Sequence, residues 1–179
     1  MIRIGSQGAA IAEQVQLDLL TSDVLRPSVL SGEIPDAVQR SFQGATFNDG
    51  MLPEYPLSDI SEKITLDTGG MYVHAISRTK EGLAGGMFGI PRANRWGSDT
   101  TSIGWYFTVP ELGLRQRAYA VRGMLGLTAT HLAGVGFTHI QTSMGTVAGG
   151  RAMKRLGFVQ EPAQWSDNNW VLDLSPYKT

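Results

Sequence analysis

The chemistry-bearing residues of this sequence are mainly basic, and they are concentrated in one segment. Residues 111–160 contain six Lys and Arg residues and one acidic residue, a local charge of +5 in a chain whose net charge is −1. A basic segment in an otherwise neutral protein predicts a focused anion site, since a nucleic-acid surface usually needs a basic domain. Charge alone leaves open the alternative that these residues cluster by chance on a solvated face.

The other reactive side chains form no recognisable catalytic pattern. The chain has no Cys, which excludes disulfides, thiolate metal sites and cysteine nucleophiles. Its three His residues, His74, His131 and His139, are scattered and show neither metal-ligand nor catalytic-triad spacing. We therefore predict structural or surface roles for the histidines, and no metal site.

Length and composition predict one globular domain over residues 1–179. Of these 179 residues 42% are apolar and 17% charged, so the chain can bury a core and is not of a disordered or coiled-coil type. We find neither an apolar run long enough for a membrane span nor a signal-peptide layout. We expect a cytoplasmic protein with no membrane or nucleic-acid partner, and leave a homodimer open.

The elements that must position the basic segment alternate between strands and helices. Three strands of an antiparallel meander are predicted at 71–77, 83–90 and 101–109, with Gly104 as the site of a bulge. The last third predicts a helix, a strand, a helix and a hairpin, at 116–133, 137–142, 146–156 and 158–160 with 170–174. This order predicts an α/β fold around one mixed sheet.

The first 70 residues give weaker signals. Residues 2–4 predict a short strand, and apolar residues at four-residue spacing predict a helix at 9–20. A second short helix is predicted at 35–42 and a loop at 47–56. The net charge of residues 1–70 is −6, which is compatible with a cationic partner on this side of the molecule.

Three motifs in the second half carry a resemblance to a known family. Val109-Pro110-Glu111 ends a strand before an Arg-rich turn, a long helix runs from there to Gly136 and a strand, and Met153–Val159 reads MKRLGFV. In this order and spacing, residues 101–174 resemble the GCN5-related N-acetyltransferases, the GNAT superfamily. The resemblance implies a single GNAT-like domain, with a central mixed, mostly antiparallel sheet that splays after its fourth strand and is flanked by helices.

The resemblance also implies a co-substrate, acetyl-CoA, and a division of labour along the chain. Residues 1–70 would form an N-terminal helical, acceptor-side part, and residues 71–179 a sheet core with the acetyl-CoA site. The main chain of Phe107, Thr108 and Val109 would pair with the pantetheine arm. Because these contacts are made by the main chain, unusual side chains at these three positions do not argue against cofactor binding.

For the family's phosphate-binding loop, two registers compete. The first places it at Arg115, Gln116, Arg117, Ala118, Tyr119 and Ala120, where small residues let the helix N-terminus approach a phosphate and two arginines add charged hydrogen bonds. The second, Arg122–Gly126, supplies glycines but leaves only ten residues before Gly136, under three helical turns. The first register is favoured because it leaves sixteen residues for the helix.

Catalytic residues are less well indicated. Many relatives have a Tyr acid in the last helix, and its position here is Met153, which cannot donate a proton; the Asn found earlier in that helix corresponds to Thr146. Both positions would lie along the cofactor. Replacement candidates are Tyr106, next to the pairing strand, and Ser143, at the end of the following strand, with a structural role as the alternative for each.

Three readings of the function follow from these residues. The first is an acetyl-CoA-dependent acyltransferase that acetylates an amine of a small molecule or protein. The second is a catalytically degenerate GNAT-like protein that binds coenzyme A or a protein partner, supported by Met153 and the missing loop glycines. The third is an α/β protein without a coenzyme A site.

Overall fold

The computed structural model describes residues 14–48, 52–161 and 168–178. One sheet of four antiparallel strands has the order β1-β2-β3-β5. Its strands are β1 (Gln16–Thr21), β2 (Tyr72–Thr79), β3 (Gly82–Pro91) and β5 (Tyr106–Thr108). The predicted antiparallel meander is confirmed for its first two strands and for residues 106–108 of the third.

A second sheet has the order β4-β6-β8-β7, with β4 parallel to β6 and the other pairs antiparallel. Its strands are β4 (Thr100–Ser102), β6 (His139–Ser143), β7 (Val159–Gln160) and β8 (Asn169–Asp173). The predicted terminal hairpin is therefore also confirmed.

Five helices flank the sheets within the described residues. They are α1 (Ser22–Leu30), α2 (Glu33–Phe42), α3 (Tyr55–Thr65), α4 (Leu114–Gly134) and α5 (Val147–Arg155), followed by a short 3₁₀ turn at Ser175–Tyr177. The described elements form the predicted α/β fold, a mostly antiparallel mixed arrangement that opens after its fourth strand. None of the helices in the described ranges has the length and hydropathy to cross a lipid bilayer.

The strand predicted at 101–109 is broken, and the break creates the opening between the sheets. Ser102 pairs with Gln141 of β6, whereas Tyr106 pairs with Met87 of β3. At the break the Gly104 N–H donates to the Phe88 carbonyl over 2.9 Å, where a side-chain carbon on Gly104 would lie 3.0 Å from that oxygen. The predicted irregularity at Gly104 is confirmed, and it transfers the chain from one sheet to the other.

The prediction for residues 16–20 was wrong. The helix predicted at 9–20 is instead strand β1 over its described part, with Leu19 opposite Ala75 of β2. Leu17 and Leu19 pack against one core cluster and Leu20 against the other, which is the alternation of a strand between two layers. The strand predicted at 2–4 and the start of this helix lie outside the described residues.

Two helices were not predicted. Helix α1 follows β1 directly and contains Pro27. Helix α3 begins inside the predicted loop, with Pro56 in its first turn, where a proline is readily tolerated. The helix predicted at 35–42 is confirmed as part of α2.

The core has two parts, one on each face of the first sheet. Because strand residues alternate, Met87 packs with α4 on one face, whereas Phe88 packs beneath α1–α3 on the other. Phe88 stacks on Phe107 of β5 at a ring distance of 5.8 Å. This alternation sends Phe107 into the core and leaves Tyr106 on the α4 face.

Candidate active site

A cleft of about 1000 Å³ lies where the two sheets part. Strand β5 pairs with β3 on one side only, and β6 has β4 and β8 as neighbours. Residues of β5, α4, the end of α2 and the β6–α5 connection line the cleft. The splay thus leaves one edge of β5 open to a ligand.

The hydrogen bonds of β5 determine which of its residues face that opening. The Val109 N–H donates to the Ala84 carbonyl, and the Trp105 carbonyl accepts from the Phe88 N–H, both over 2.9 Å. Main-chain groups alternate in direction along an antiparallel strand, so Tyr106 and Thr108 present theirs to the cleft. Of the three predicted pairing residues, Thr108 alone therefore has its main chain on the open edge.

Tyr106 is the titratable residue of the cleft whose pKa is most clearly shifted. Its side chain packs partly against the α4 core and lines the cleft. Burial raises the pKa of the Tyr106 hydroxyl to about 12. At neutral pH this hydroxyl therefore keeps its proton, as an unperturbed tyrosine would, and the raised pKa makes it a weaker acid.

Ser143 and Thr146 lie on the opposite wall. Ser143 ends β6 and lines the cleft. Thr146 is the N-cap of α5, where its Oγ1 accepts from the Gly149 N–H over 3.2 Å. Gly149 fits closely there, because a side-chain carbon would lie 3.0 Å from Met144 Sδ.

The end of the cleft is closed by a segment that sequence reasoning treated as a loop. The Val147 N–H donates to the Thr46 carbonyl over 3.2 Å, and the Asn48 N–H donates to the Gly145 carbonyl over 3.0 Å. The Asn48 side chain adds a hydrogen bond to the Met144 carbonyl over 2.9 Å. These contacts tie the chain after α2 to the start of α5.

The residues of the favoured phosphate-loop register lie in the first two turns of α4, which begins at Leu114. Gln116 Oε1 accepts from the Gly113 N–H over 3.1 Å, and Arg117 Nε donates to the Leu112 carbonyl over 2.9 Å. Arg117 also donates to the Pro110 carbonyl. Gln116 and Arg117 therefore hold the turn that joins β5 to α4.

The structure brings together one part of the predicted site and separates another. The predicted residues on the cleft wall are Tyr106, Phe107, Thr108, Arg117, Ala118, Ser143 and Thr146. The other predicted site residues do not line the cleft; they are Val109, Arg115, Gln116, Tyr119, Ala120 and Met153. Ala120 is fully buried and Met153 is 1% exposed in the core, as expected of a packing residue.

Three further arginines line the cleft, Arg122, Arg151 and Arg155, and of these the sequence predictions considered only Arg122 for phosphate binding, in the less favoured register. The +5 charge of residues 111–160 was the signal that could have found them. Among the residues described on the wall there is no Asp, Glu or His, so the cleft is electropositive. An open strand edge beside a basic wall fits an extended, phosphorylated ligand such as coenzyme A.

A second group of reactive side chains is buried away from the cleft. Ser22 Oγ donates to Asp67 Oδ2 over 2.6 Å and lies 2.9 Å from His74 Nε2. The Gly89 N–H donates to His74 Nδ1 over 3.3 Å, so Nε2 carries the proton and donates to Ser22. The Ser22 proton is thus directed at a carboxylate and not at the histidine, the reverse of a nucleophile's arrangement.

Burial has a clear effect on this Ser22–Asp67–His74 network. Desolvation lowers the pKa of His74 to about 4, so the imidazole is neutral at pH 7. All three side chains are nearly inaccessible. His74 is thus a buried packing residue, one of the two roles predicted for the histidines. In the described part of the chain no group of three or more His, Asp or Glu side chains could hold a metal ion.

Comparison with known proteins finds similarity in structure and not in sequence. No protein-family model matches the chain, and no curated protein matches it. The catalytic domain of Tetrahymena GCN5 histone acetyltransferase, solved with coenzyme A, aligns with a TM-score of 0.59 and 13% identity over 91% of this chain and 95% of that one.

Two other solved structures are similar over most of their length. The AtaTR structure bound with acetyl-CoA has a TM-score of 0.56 and 13% identity, covering 93% of this chain and 97% of that one. The ribosomal-protein-S5-alanine acetyltransferase of Vibrio fischeri has a TM-score of 0.51 and 12% identity, covering 93% and 96%. The likeness is one of fold.

Proposed function

We propose that this chain, which has the fold of the GCN5-related N-acetyltransferase superfamily, transfers an acetyl group from acetyl-CoA to an amine. The observation that carries the proposal is the open edge of β5 at Thr108 beside an electropositive cleft. An extended amide-bearing arm can pair with such an edge as an added strand. A phosphorylated end can then lie along the basic wall.

The cofactor would contact only part of the predicted set directly. The Thr108 main chain would pair with the pantetheine arm, and Phe107 and Val109 would hold β5 against β3. The first turn of α4, with Ala118 on the cleft wall, would receive the pyrophosphate at the positive end of the helix dipole. Arg117 would support that turn through its bonds to backbone carbonyls.

In the reaction, the amine nitrogen attacks the thioester carbonyl carbon, a C–N bond forms and the C–S bond breaks. Tyr106 lines the cleft next to the open strand edge, so its hydroxyl would protonate the leaving thiolate, although its raised pKa weakens it as an acid. Ser143 lines the same cleft and would orient the acetyl group. Since the described cleft wall has no carboxylate or imidazole, the ammonium group would lose one proton to water before the attack and a second after it, and the Tyr106 phenolate would regain its proton from water.

The acceptor would enter on the side of residues 1–70. A recess of about 350 Å³ adjoins the cleft through Trp105, which lines both, and its other walls are Tyr55, Ser58, Asp59 and Glu62 of α3. Asp59 is already paired with Lys63 Nζ over 2.6 Å, so Glu62 and the rings of Tyr55 and Trp105 are the groups left to attract a cation. This recess supports an amine that approaches in its protonated form.

One observation favours a second candidate, a catalytically degenerate protein that binds coenzyme A. Met153 is buried where many relatives carry a tyrosine acid, and the described cleft lacks a carboxylate base. In this case the chain would bind acetyl-CoA without turnover.

Calorimetric binding of acetyl-CoA and thiol release with an amine library test the two candidates together. We expect binding, and turnover with at least one cationic amine. Binding without turnover for any amine would favour the degenerate protein, and absence of binding at millimolar acetyl-CoA would exclude both candidates.

A pair of substitutions at Thr108 tests the strand edge itself. Thr108→Pro removes the outward N–H without breaking a bond to β3, so acetyl-CoA should bind up to about tenfold more weakly. Thr108→Val keeps the main chain and should bind normally. Equal affinities for the two variants would contradict the pairing.

A further inference from the structure

Three arginines form a charged wall on one side of the cleft. Arg122 lies on α4 at four-residue steps from Leu114 and Ala118, which also line the cleft. Arg151 and Arg155 are four residues apart on α5, so their side chains share one face of that helix. We refer to Arg122, Arg151 and Arg155 as the arginine wall.

The three arginines of the wall lack side-chain partners among the described residues, as Arg92 and Arg95 also do, but Arg92 and Arg95 do not line the cleft. Arg26, Arg40 and Arg78 form ion pairs with Asp23, Glu111 and Glu33 respectively, and Arg117 bonds to backbone carbonyls. Within the described residues, none of the three arginines of the wall has a hydrogen bond or an ion pair.

This arrangement places three exposed positive charges along one cleft. Like charges at four-residue spacing repel each other on a helix, as Arg151 and Arg155 do. The described cleft wall offers no carboxylate to compensate them. A guanidinium is well suited to bidentate contact with phosphate, and three of them converge on one space.

We infer that the arginine wall binds the 3′-phosphate of coenzyme A, an inference that rests on the proposed function. Arg122 is eight residues from Leu114, about 12 Å along the helix, so it can contact a different phosphate from one bound at the helix start. Arg117, which lies at that start, is held by carbonyl groups. The 3′-phosphate is a monoester with a charge near −2 and is the remaining anionic group of the cofactor.

Calorimetry with coenzyme A and with 3′-dephospho-coenzyme A tests this inference without relying on activity. The wild-type chain should bind coenzyme A about tenfold or more tightly than the dephospho compound. Arg122→Gln, Arg151→Gln and Arg155→Gln should each weaken coenzyme A by several fold and leave the dephospho compound unchanged. All three side chains are exposed, so the variants should fold, which circular dichroism checks.

Lys154→Gln is the matched control, because Lys154 lies on the same helix, is exposed and is not on the cleft wall. It removes the same charge and should bind both compounds as the wild type does. Equal weakening of both compounds by the arginine variants, or unchanged binding of both, would overturn the inference and leave the proposed function standing. If the wild type bound neither compound, the proposed function would fail and the inference with it.

Discussion

At the scale of single residues, burial decides the protonation state of the groups that bear chemistry. Tyr106 and His74 are both ordinary residues in the sequence, and the sequence indicated the first only by its position next to the pairing strand. In the fold, burial holds a proton on Tyr106 and keeps one from His74. His74 is therefore a neutral packing residue, whereas the catalytic role proposed for Tyr106 rests on its place in the cleft.

Tyr106→Phe should lower turnover by at least about hundredfold, because a general acid contributes that much or more to a proton transfer. Its affinity for acetyl-CoA should stay within about twofold, since Thr108 and the arginines supply the binding. Steady-state thiol release and calorimetry measure the two quantities. Normal turnover in Tyr106→Phe would mean that another group or water protonates the thiolate.

His74 should make the protein less stable in mild acid. The pKa of His74 is about 4 in the folded state and 6.5 in the unfolded state. Protonation therefore favours the unfolded state, and the contribution of His74 to the free energy of unfolding is complete above pH 6.5 and is lost as the pH falls towards 4. Between pH 7.5 and 5 the free energy of unfolding should fall by about 2 kcal/mol from this group.

Urea unfolding at both pH values checks this expectation, with His74→Gln as the control. The variant keeps an amide donor and acceptor but does not titrate, while His131 and His139 remain in both proteins. An equal loss of stability in the two proteins between pH 7.5 and 5 would contradict the assignment to His74.

At the scale of elements, the contacts of a helix decide what its sequence alone leaves open. Helix propensity treats Gly123 and Gly126 of α4 alike, as costly mid-helix glycines. In the fold a methyl group on Gly123 would overlap Leu17 Cδ1 of β1, whereas Gly126 has nothing within 4 Å. Gly123 therefore permits the close approach of α4 to β1.

Gly126→Ala should stabilise the protein by up to about 1 kcal/mol, and Gly123→Ala should not, because Leu17 must leave its rotamer. Thermal and urea unfolding measure both variants. In a Leu17→Ala background the two substitutions should become equivalent. A gain for Gly123→Ala equal to that of Gly126→Ala in the parent would show that Leu17 adapts without cost.

At the scale of the whole molecule, one core cluster packs residues of both sheets against α4, and the described chain also crosses between the sheets beside the cleft. The chain crosses between them at the break near Gly104, and the segment 45–48 reaches over to the start of α5. Asn48 is central to the second connection through its bonds to Gly145 and Met144.

Asn48→Ala should loosen this second connection. It removes the side-chain bond to the Met144 carbonyl, at a cost of about 1 kcal/mol, and leaves the main-chain bond. Hydrogen exchange should become faster at residues 143–149 and stay unchanged in β2 and β3. A uniform increase over the whole chain would instead indicate global destabilisation.

The sequence by itself determined the second half of the fold. The meander, α4, α5 and the terminal hairpin were predicted because each is a local pattern of period two or 3.6 bounded by Gly or Pro. The basic charge of residues 111–160 was equally visible, since a charge count needs no coordinates. From these patterns came the resemblance to an acetyltransferase fold.

Only the tertiary structure decided which residues form the site. The sequence of strand β1 resembles that of a helix because its apolar residues pack on both faces of the sheet. Those contacts exist only once β1 is paired with β2 and covered by α4. Arg117 bonds to carbonyls, while Arg122 and Arg155 face the cleft without a partner in the described chain. The direction in which an arginine side chain leaves its helix, and the distance between α4 and α5, depend on packing between residues far apart in the sequence. A count of charges along the chain contains neither.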